Sequence, residues 1–354
     1  MSRGNPDMML NVYNTRGESL DIRIRLARPD DAPQLIALLI KQHGNNYPNR
    51  QFYDETAVRR NIEAEILHFS VIELMDGTLA GMIGADEGNV FSGSIVFFLL
   101  TIDPLLRGFG VGNHLHRFLL EHVALETYTS IYGYCLTLDT ISQKICNNLG
   151  YRMTGLLLNR YIYDTTAENL VNLSLPFKRT HLVVCFPRIK QDTGILYTPF
   201  AHVAYIGEVY ESLGVAYRFD NHEETKPKAM RSLLTITPYE DHRYCEVMIR
   251  ETGHDFASIL GDLLKQYGAR EQQTFNAFIN LNDPGCPDAC RVLAEQGFFF
   301  TGLQPLSGDY EYMIMHYAPR LPVPFDKIAV IPEFNKRFSY IQHTYQEAQH
   351  DRKN

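Results

Sequence analysis

Ile102 Asp103 Pro104 Leu105 Leu106 Arg107 Gly108 Phe109 Gly110 Val111 Gly112 joins two segments of different period. Before it lies the apolar run Ser94–Ile102, which reads as a buried strand; after it Asn113–Glu126 places Leu115, Phe118, Leu119 and Val123 along one helical stripe. Pro104 helps to end the strand and sets the chain's direction. Three glycines at such a corner allow positive φ and let a ligand approach the main chain closely, while the first helical turn offers unpaired N–H groups and partial positive charge. A phosphate or pyrophosphate is the natural guest, and Arg107 adds a full charge at the entrance.

Spacing narrows the guest. A Rossmann dinucleotide loop needs G-x-G-x-x-G, whose third glycine falls here on Asn113. A P-loop needs lysine and then Ser or Thr after its last glycine, where this chain has Asn113 and His114. Asp139, at the end of the next apparent strand, is the one feature that suits a dinucleotide reading.

Arginine followed by alternate glycines, after a strand and a proline and opening a helix, resembles the acyl-coenzyme A loop of the GNAT-type N-acetyltransferases. Ser142 Gln143 Lys144 Ile145 Cys146 Asn147 Asn148 Leu149 Gly150 Tyr151 resembles that family's later helix ending in glycine plus an aromatic. Upstream, Ile24 Arg25 Leu26 Ala27 Arg28 Pro29 Asp30 Asp31 Ala32 Pro33 Gln34 Leu35 resembles its opening strand and first helix. The resemblance spans residues 22–163. It implies acetyl-coenzyme A as acyl-donor co-substrate and an amine as acceptor. It also implies that the strand before the loop splays and offers its backbone, here Leu100 and Ile102, to the pantetheine amides. The phosphates would then meet Arg107, Gly108, Phe109, Gly110, Val111, Gly112 and Asn113.

Composition sets limits. At 354 residues and 45% hydrophobic content the chain suits about two globular domains. No apolar run approaches the ~18 residues of a membrane helix, and Met1–Gly17 is polar, so a cytoplasmic protein without a membrane partner is expected. Six cysteines show no paired C-x-x-C motifs, so disulfides and a zinc site are not expected. Cys286 and Cys290 read as small buried hydrophobes. His114, His116 and His122 invite a metal reading, but 114 and 116 do not share a helical face and no carboxylate joins them at ligand spacing. A net charge of −8 argues against a nucleic-acid partner, and between acceptors of equal merit it favours a cationic amine.

Alternating short apolar runs and helical stretches give an α/β order. Strands are expected at Ile22–Leu26, Phe69–Leu74, Ala80–Ala85 and Ser94–Ile102, with helices at Ala32–His43 and Asp54–Leu67 and a hairpin turn at Asp76 Gly77. Gly150 Tyr151 Arg152 Met153 Thr154 Gly155 Leu156 recurs as Gly297 Phe298 Phe299 Phe300 Thr301 Gly302 Leu303. Each copy follows an apparent strand and helix, Tyr134–Asp139 with Ser142–Leu149 and Phe275–Asn282 with Asp288–Gln296. The chain thus reads as a tandem of two GNAT-like domains, each a mixed, largely antiparallel sheet flanked by helices. The expected boundaries are a tail at 1–20, the coenzyme-binding domain at 21–170, a connection at 171–199 with a turn at Gln191 Asp192 Thr193 Gly194, a degenerate second domain at 200–320 opened by a helix over Pro199–Leu213, and an extension at 321–354. In the second half Glu251 Thr252 Gly253 His254 Asp255 Phe256 follows the strand Cys245–Arg250, and its acids would repel a pyrophosphate.

For chemistry, an ammonium must lose a proton before attacking a thioester, and a donor helps the thiolate leave. The resemblance implies a glutamate on the strand before the loop and a tyrosine four residues before the Gly-aromatic pair. Ser94–Ile102 carries no carboxylate, and Cys146 stands at the second position. Cys146 as acid and Asp139 as base are the candidates, against a core cysteine and a helix-capping aspartate. Asp86, Glu87, Tyr132, Tyr134 and Tyr161 stand as alternatives. A small-molecule N-acetyltransferase is the expected activity. Open beside it are an acyl-coenzyme A sensor without turnover, separable by turnover assay alongside coenzyme titration, and a protein-amine acetyltransferase, which would need an open groove.

Overall fold

The computed structural model describes residues 7–45, 47–86, 91, 93–122, 128–162, 178–187, 192–220, 227–271, 273–308 and 310–351; Glu87, Val123 and Gln191 lie outside this set. It is an α/β structure of mixed, largely antiparallel sheet flanked by helices, and it divides into two units. One is built from Met1–Val90 and Ser94–Gly133, the other chiefly from Tyr134–Tyr163 and Leu173–Asn354.

In the first unit the strands β1 (Met8–Tyr13), β2 (Ser19–Leu26), β3 (Leu67–Leu74), β4 (Leu79–Asp86) and β5 (Ser94–Ile102) lie side by side in chain order, all antiparallel. β6 (Ser130–Leu136) then adds in parallel, Ser94–Phe97 matching Ser130–Gly133. The segment expected as a tail therefore carries a strand. Met8, Leu10 and Val12 alternate toward the sheet with exposed Met9, Asn11 and Tyr13, a half-buried edge pattern easily passed over in a short polar stretch. Helix α1 (Ala32–His43) begins and ends where its sequence pattern does, and buries Leu35, Leu38 and Leu39 at helical spacing. Helix α2 (Glu55–Glu63) is capped by Asp54, which accepts from the Ala57 N–H at 3.2 Å, and it stops four residues before Leu67. Glu65, at φ 55°, turns the chain into β3 instead. These helices close over Phe52, Phe69, Val71, Met82 and Leu99.

A buried charge group fixes the entry to α1. Arg25 donates to both oxygens of Asp31 (2.7 and 2.9 Å) and to Glu73 (2.5 Å). Burial works against the Asp31 carboxylate, but Arg25 and the Arg28 N–H outweigh it and hold its pKa below the ordinary 3.8. A carboxylate with a depressed pKa contributes stability that is present above its unfolded value and lost as pH falls through the folded one. Asp31→Asn is thus expected to cost about 3 kcal/mol at pH 7, by leaving Arg25 partly uncompensated. The gap between wild type and variant should close on acidification below 3.8; urea midpoints of both proteins from pH 7 to pH 3 check this.

The second unit contains α4 (Ile141–Asn148), β7 (Arg152–Ile162), β8 (Lys178–Pro187), β9 (Asp192–Leu196), α5 (Val203–Leu213), β10 (Ala216–Phe219), β11 (Leu233–Tyr239), β12 (Tyr244–Glu251), α6 (Phe256–Tyr267), β13 (Thr274–Asn280), α7 (Cys286–Glu295), β14 (Phe299–Ser307), β15 (Tyr310–Tyr317) and α8 (Asn335–Asp351). Its main sheet runs β8-β7-β14-β15-β13-β12-β11, with β9 and β10 pairing separately. The helix expected over Pro199–Leu213 starts as a 3-10 turn, Phe200–His202, before α5.

The repeated heptapeptide lies where β7 meets β14. Gly155 pairs with Gly302, its own counterpart 147 positions on, so the two copies cross at equivalent residues. A Cβ on Gly302 would fall 2.2 Å from the Gly155 Cα, and one on Gly155 would fall 2.8 Å from the Leu303 N, so only glycine permits this approach. Thr154 Oγ1 donates to the Leu303 carbonyl across the seam at 2.9 Å. The irregularities recur at the same displacement. Ladder shifts at Met153/Gly155 and past Leu157 in β7 reappear at Phe300/Gly302 and past Gln304 in β14, and the left-handed residue Asn159 (φ 46°) answers to Leu306 (φ 55°).

Candidate functional site

The glycine corner belongs to the first unit. Its approach strand β5 is bent by a bulge: Met82 faces Thr101 and Gly84 faces Phe98, so Ile83 opposes two residues, and Leu99 takes φ 56°. A leucine there costs about 1–2 kcal/mol, a strain held by the surrounding core. Phe98 stacks on Phe52 with centroids 4.9 Å apart, and a Cβ at Gly84 would strike the Phe98 ring at 2.5 Å. The parallel ladder to β6 ends at Phe97 and Gly133, before Leu100 and Ile102, while on the opposite edge Ile102 pairs with Gly81 of β4.

After β5 the chain is pinned by Asp103. Its carboxylate accepts from the Leu105 N–H (3.0 Å) and from Lys41 Nζ on α1 (2.6 Å). Burial raises the Asp103 pKa, but Lys41, the Leu105 N–H and the nearby Arg107 charge more than offset it and leave it below 3.8. A 3-10 turn over Pro104–Leu106 then delivers Arg107, exposed and in no ion pair among the described residues.

Gly108 (φ 86°) and Gly110 (φ 68°) adopt the left-handed conformation, and nothing lies within 4 Å of a Cβ built on either. Helix α3 (Val111–His122) begins two residues earlier than its apolar stripe suggests, which puts Gly112 inside its first turn. The Asn113 N–H closes onto the Gly110 carbonyl at 3.3 Å. Among the described residues, no acceptor takes the N–H of Gly108, Gly110, Val111 or Gly112. Four donors thus remain open at a helix N-terminus beside a free guanidinium, an arrangement suited to a diphosphate. Behind them Leu115, Phe118 and Leu119 anchor α3 in the core, where the Leu115 carbonyl accepts from Ser70 Oγ at 2.9 Å. His116 is buried on the same helix and packs edge-on against Phe97; burial pushes its pKa down to about 3, so it is neutral at physiological pH.

The turn that follows β12 in the second unit is built differently. The Thr252 N–H donates to Asp283 (2.7 Å), Gly253 to Ser232 Oγ (2.9 Å), His254 to the Ala229 carbonyl (3.1 Å) and Phe256 to the Gly253 carbonyl (3.1 Å). Asp255 accepts from both the N–H and hydroxyl of Ser232. The chain itself occupies every one of these donors. Nothing in the sequence pattern around Ser232 announced that role.

The side chains proposed for proton transfer fall in the second unit. Asp139 is exposed, and its carboxylate accepts from the Ile141 N–H at 2.8 Å, a local turn just ahead of α4, whose N-cap is Thr140. Cys146 is buried with its sulfur 3.7 Å from that of Cys135; this contact, together with burial, pushes its thiol pKa well up, so it holds its proton at neutral pH. Of the alternatives, Asp86 ends β4 opposite Val96 and Tyr132 is buried in β6, while Tyr134 and Tyr161 pack against the Arg160 guanidinium at 4.8 and 4.7 Å. Among the described residues no group of three His, Cys, Asp or Glu side chains is arranged to hold a metal ion, and no helix is long and apolar enough to cross a membrane.

No family model matches the chain, and no curated protein sequence does. Solved structures that match it include an N-acetyltransferase from Staphylococcus aureus (14% identity, 47% of this chain and 98% of that one, TM-score 0.38). A ribosomal-protein-alanine N-acetyltransferase from Brucella melitensis matches at 17% identity over 47% of this chain and 99% of that one, with TM-score 0.38. An acetyltransferase from Salmonella typhimurium, solved with its cofactor acetyl-CoA, matches at 16% identity over 47% and 93%, with TM-score 0.37.

Proposed function

We propose that the protein is an acetyl-coenzyme A dependent N-acetyltransferase of GNAT type acting on a small-molecule amine, with the first unit as its coenzyme-binding half. The observation that carries this reading is the set of four open N–H groups at Gly108, Gly110, Val111 and Gly112, next to Arg107 and downstream of a bulged strand. In the transfer an uncharged amine nitrogen attacks the thioester carbonyl, the C–S bond breaks, the nitrogen gives up a proton and the departing thiolate gains one. The reading rests on the corner rather than on Asp139 or Cys146, whose surroundings suit a local turn and a core thiol.

The second half fits a second copy of the same domain that has lost its coenzyme corner. The 147-residue displacement shared by heptapeptide, bulges and seam supports the duplication, and the internal partners of the Thr252, Gly253, His254 and Phe256 N–H groups support the loss. A coenzyme-binding protein without turnover is the second reading, favoured by the lack of a carboxylate on β5.

Thermal unfolding with and without acetyl-coenzyme A tests the proposal. A ligand that binds only the native state at a hundredfold excess over its Kd adds about 2.7 kcal/mol, so the midpoint should rise saturably. Thiol release with a panel of amines then separates enzyme from sensor. A midpoint indifferent to acetyl-coenzyme A would remove both readings.

A further inference from the structure

The outer strand of the second unit's main sheet has a neighbour on one side only. β11 pairs with β12 in antiparallel register, and β12 pairs in parallel with β13. The first unit contains the same arrangement, with β4 antiparallel to β5 and β5 parallel to β6. There β3 pairs antiparallel along the far edge of β4, and all of β4 except Asp86 is buried. Among the described residues nothing pairs with the far edge of β11, and none of its seven residues is buried.

That exposure is unfavourable for this sequence. Leu233 is 53% and Ile236 36% exposed, and Met230, ahead of the strand, is 75% exposed. Leu233–Tyr239 carries no charge, whereas strands that remain at an open edge are commonly blunted by lysine, by inward-pointing charges or by brevity. Pro238 is the one blunting residue, and it stands near the end of the strand rather than at its middle.

The strand is also complementary to itself. Two copies laid antiparallel about a two-fold axis through Ile236 set Thr235 against Thr237, Leu234 against Pro238 and Leu233 against Tyr239, with no like charges facing. Just beyond the strand ends the same register brings Arg231 of one copy toward Asp241 of the other, and the axis makes this contact twice. Both side chains are exposed and in no ion pair among the described residues, whereas the adjacent Glu240 is already engaged by Arg270.

We propose that β11 docks a second copy of this chain by antiparallel strand addition centred on Ile236. The second copy's strand takes the place beside β11 that β3 takes beside β4. A single strand pair is a small contact, so the dimer should dissociate on dilution. This assignment does not depend on the coenzyme corner, which lies in the other unit.

Sedimentation equilibrium of the full chain over a range of concentrations is the test, with the mass expected to rise from 40.6 kDa toward twice that value. Ile236→Lys sets like charges against each other at the axis, on a residue already open to solvent. Self-association should weaken at least about tenfold while the unfolding midpoint at high dilution hardly moves. Arg231→Glu should weaken association in the same direction by facing Asp241, and adding Asp241→Arg to it should restore association. Hydrogen exchange gives an independent readout, since backbone amides of β11 should exchange more slowly as concentration rises. The proposal is overturned if the chain stays monomeric at every concentration, if a dimer forms that Ile236→Lys leaves intact, or if the double variant associates no better than Arg231→Glu alone.

Discussion

Replacing Gly302 by valine is expected to destabilise the second unit by more than about 4 kcal/mol, a large share of the 5–15 kcal/mol that holds a typical domain together. Two effects combine. At φ 124° the backbone is in a region that side chains avoid, and the new Cβ would sit 2.2 Å from the Gly155 Cα, a main-chain atom with no rotamer to retreat into. Relief would require β7 and β14 to part, which would break the Thr154 to Leu303 hydrogen bond between them. Gly261→Ala supplies the contrast. Gly261 lies within α6, has nothing within 4 Å of its Cβ position, and should gain about 0.5–1 kcal/mol from helix propensity. Urea unfolding followed by circular dichroism measures both. Equal midpoints for Gly302→Val and wild type would show that the seam is not where we place it.

The seam also shows what a sequence can and cannot disclose. The repeated Gly-aromatic and Thr-Gly-Leu pattern was visible as a repeat, and the strand and helix before each copy could be read from hydrophobic period. That the second glycine of each copy exists to face its counterpart could not be read, because the constraint is a contact between two backbones 147 residues apart. β5 gives the same lesson. Its limits, Ser94–Ile102, follow from a continuous apolar run, but the bulge at Leu99 has no local signature, since leucine has no preference for φ 56° and is held there by packing. β1 and β11 leave little trace in the sequence, because edge strands bury only half their residues or fewer and their alternation is weak. The glycine corner was legible because its requirement is local: only glycine takes positive φ freely, and only a helix start leaves N–H groups open. The pin that holds it, Lys41 to Asp103, was not, since it joins residues 62 positions apart.

Gly110→Ala separates binding from folding at that corner. Nothing within 4 Å opposes the added methyl, so the folded protein loses only the cost of an alanine at φ 68°, about 1–2 kcal/mol. The methyl would, however, project into the open space where a diphosphate must lie to reach the N–H groups of Gly108, Gly110, Val111 and Gly112. Holding the anion even 1 Å further out loses several charge-assisted hydrogen bonds together, each worth about 1.5–3 kcal/mol. Acetyl-coenzyme A affinity should therefore fall at least about 100-fold, while the midpoint without ligand moves only slightly. Arg107→Ala should act more mildly, about tenfold, because an exposed guanidinium contributes screened charge rather than a fixed cradle. Isothermal titration of both variants distinguishes the effects. If Gly110→Ala bound the coenzyme as tightly as wild type and Arg107→Ala did not, the backbone would not be the anion's principal partner, and a side-chain site elsewhere in the first unit would have to take its place.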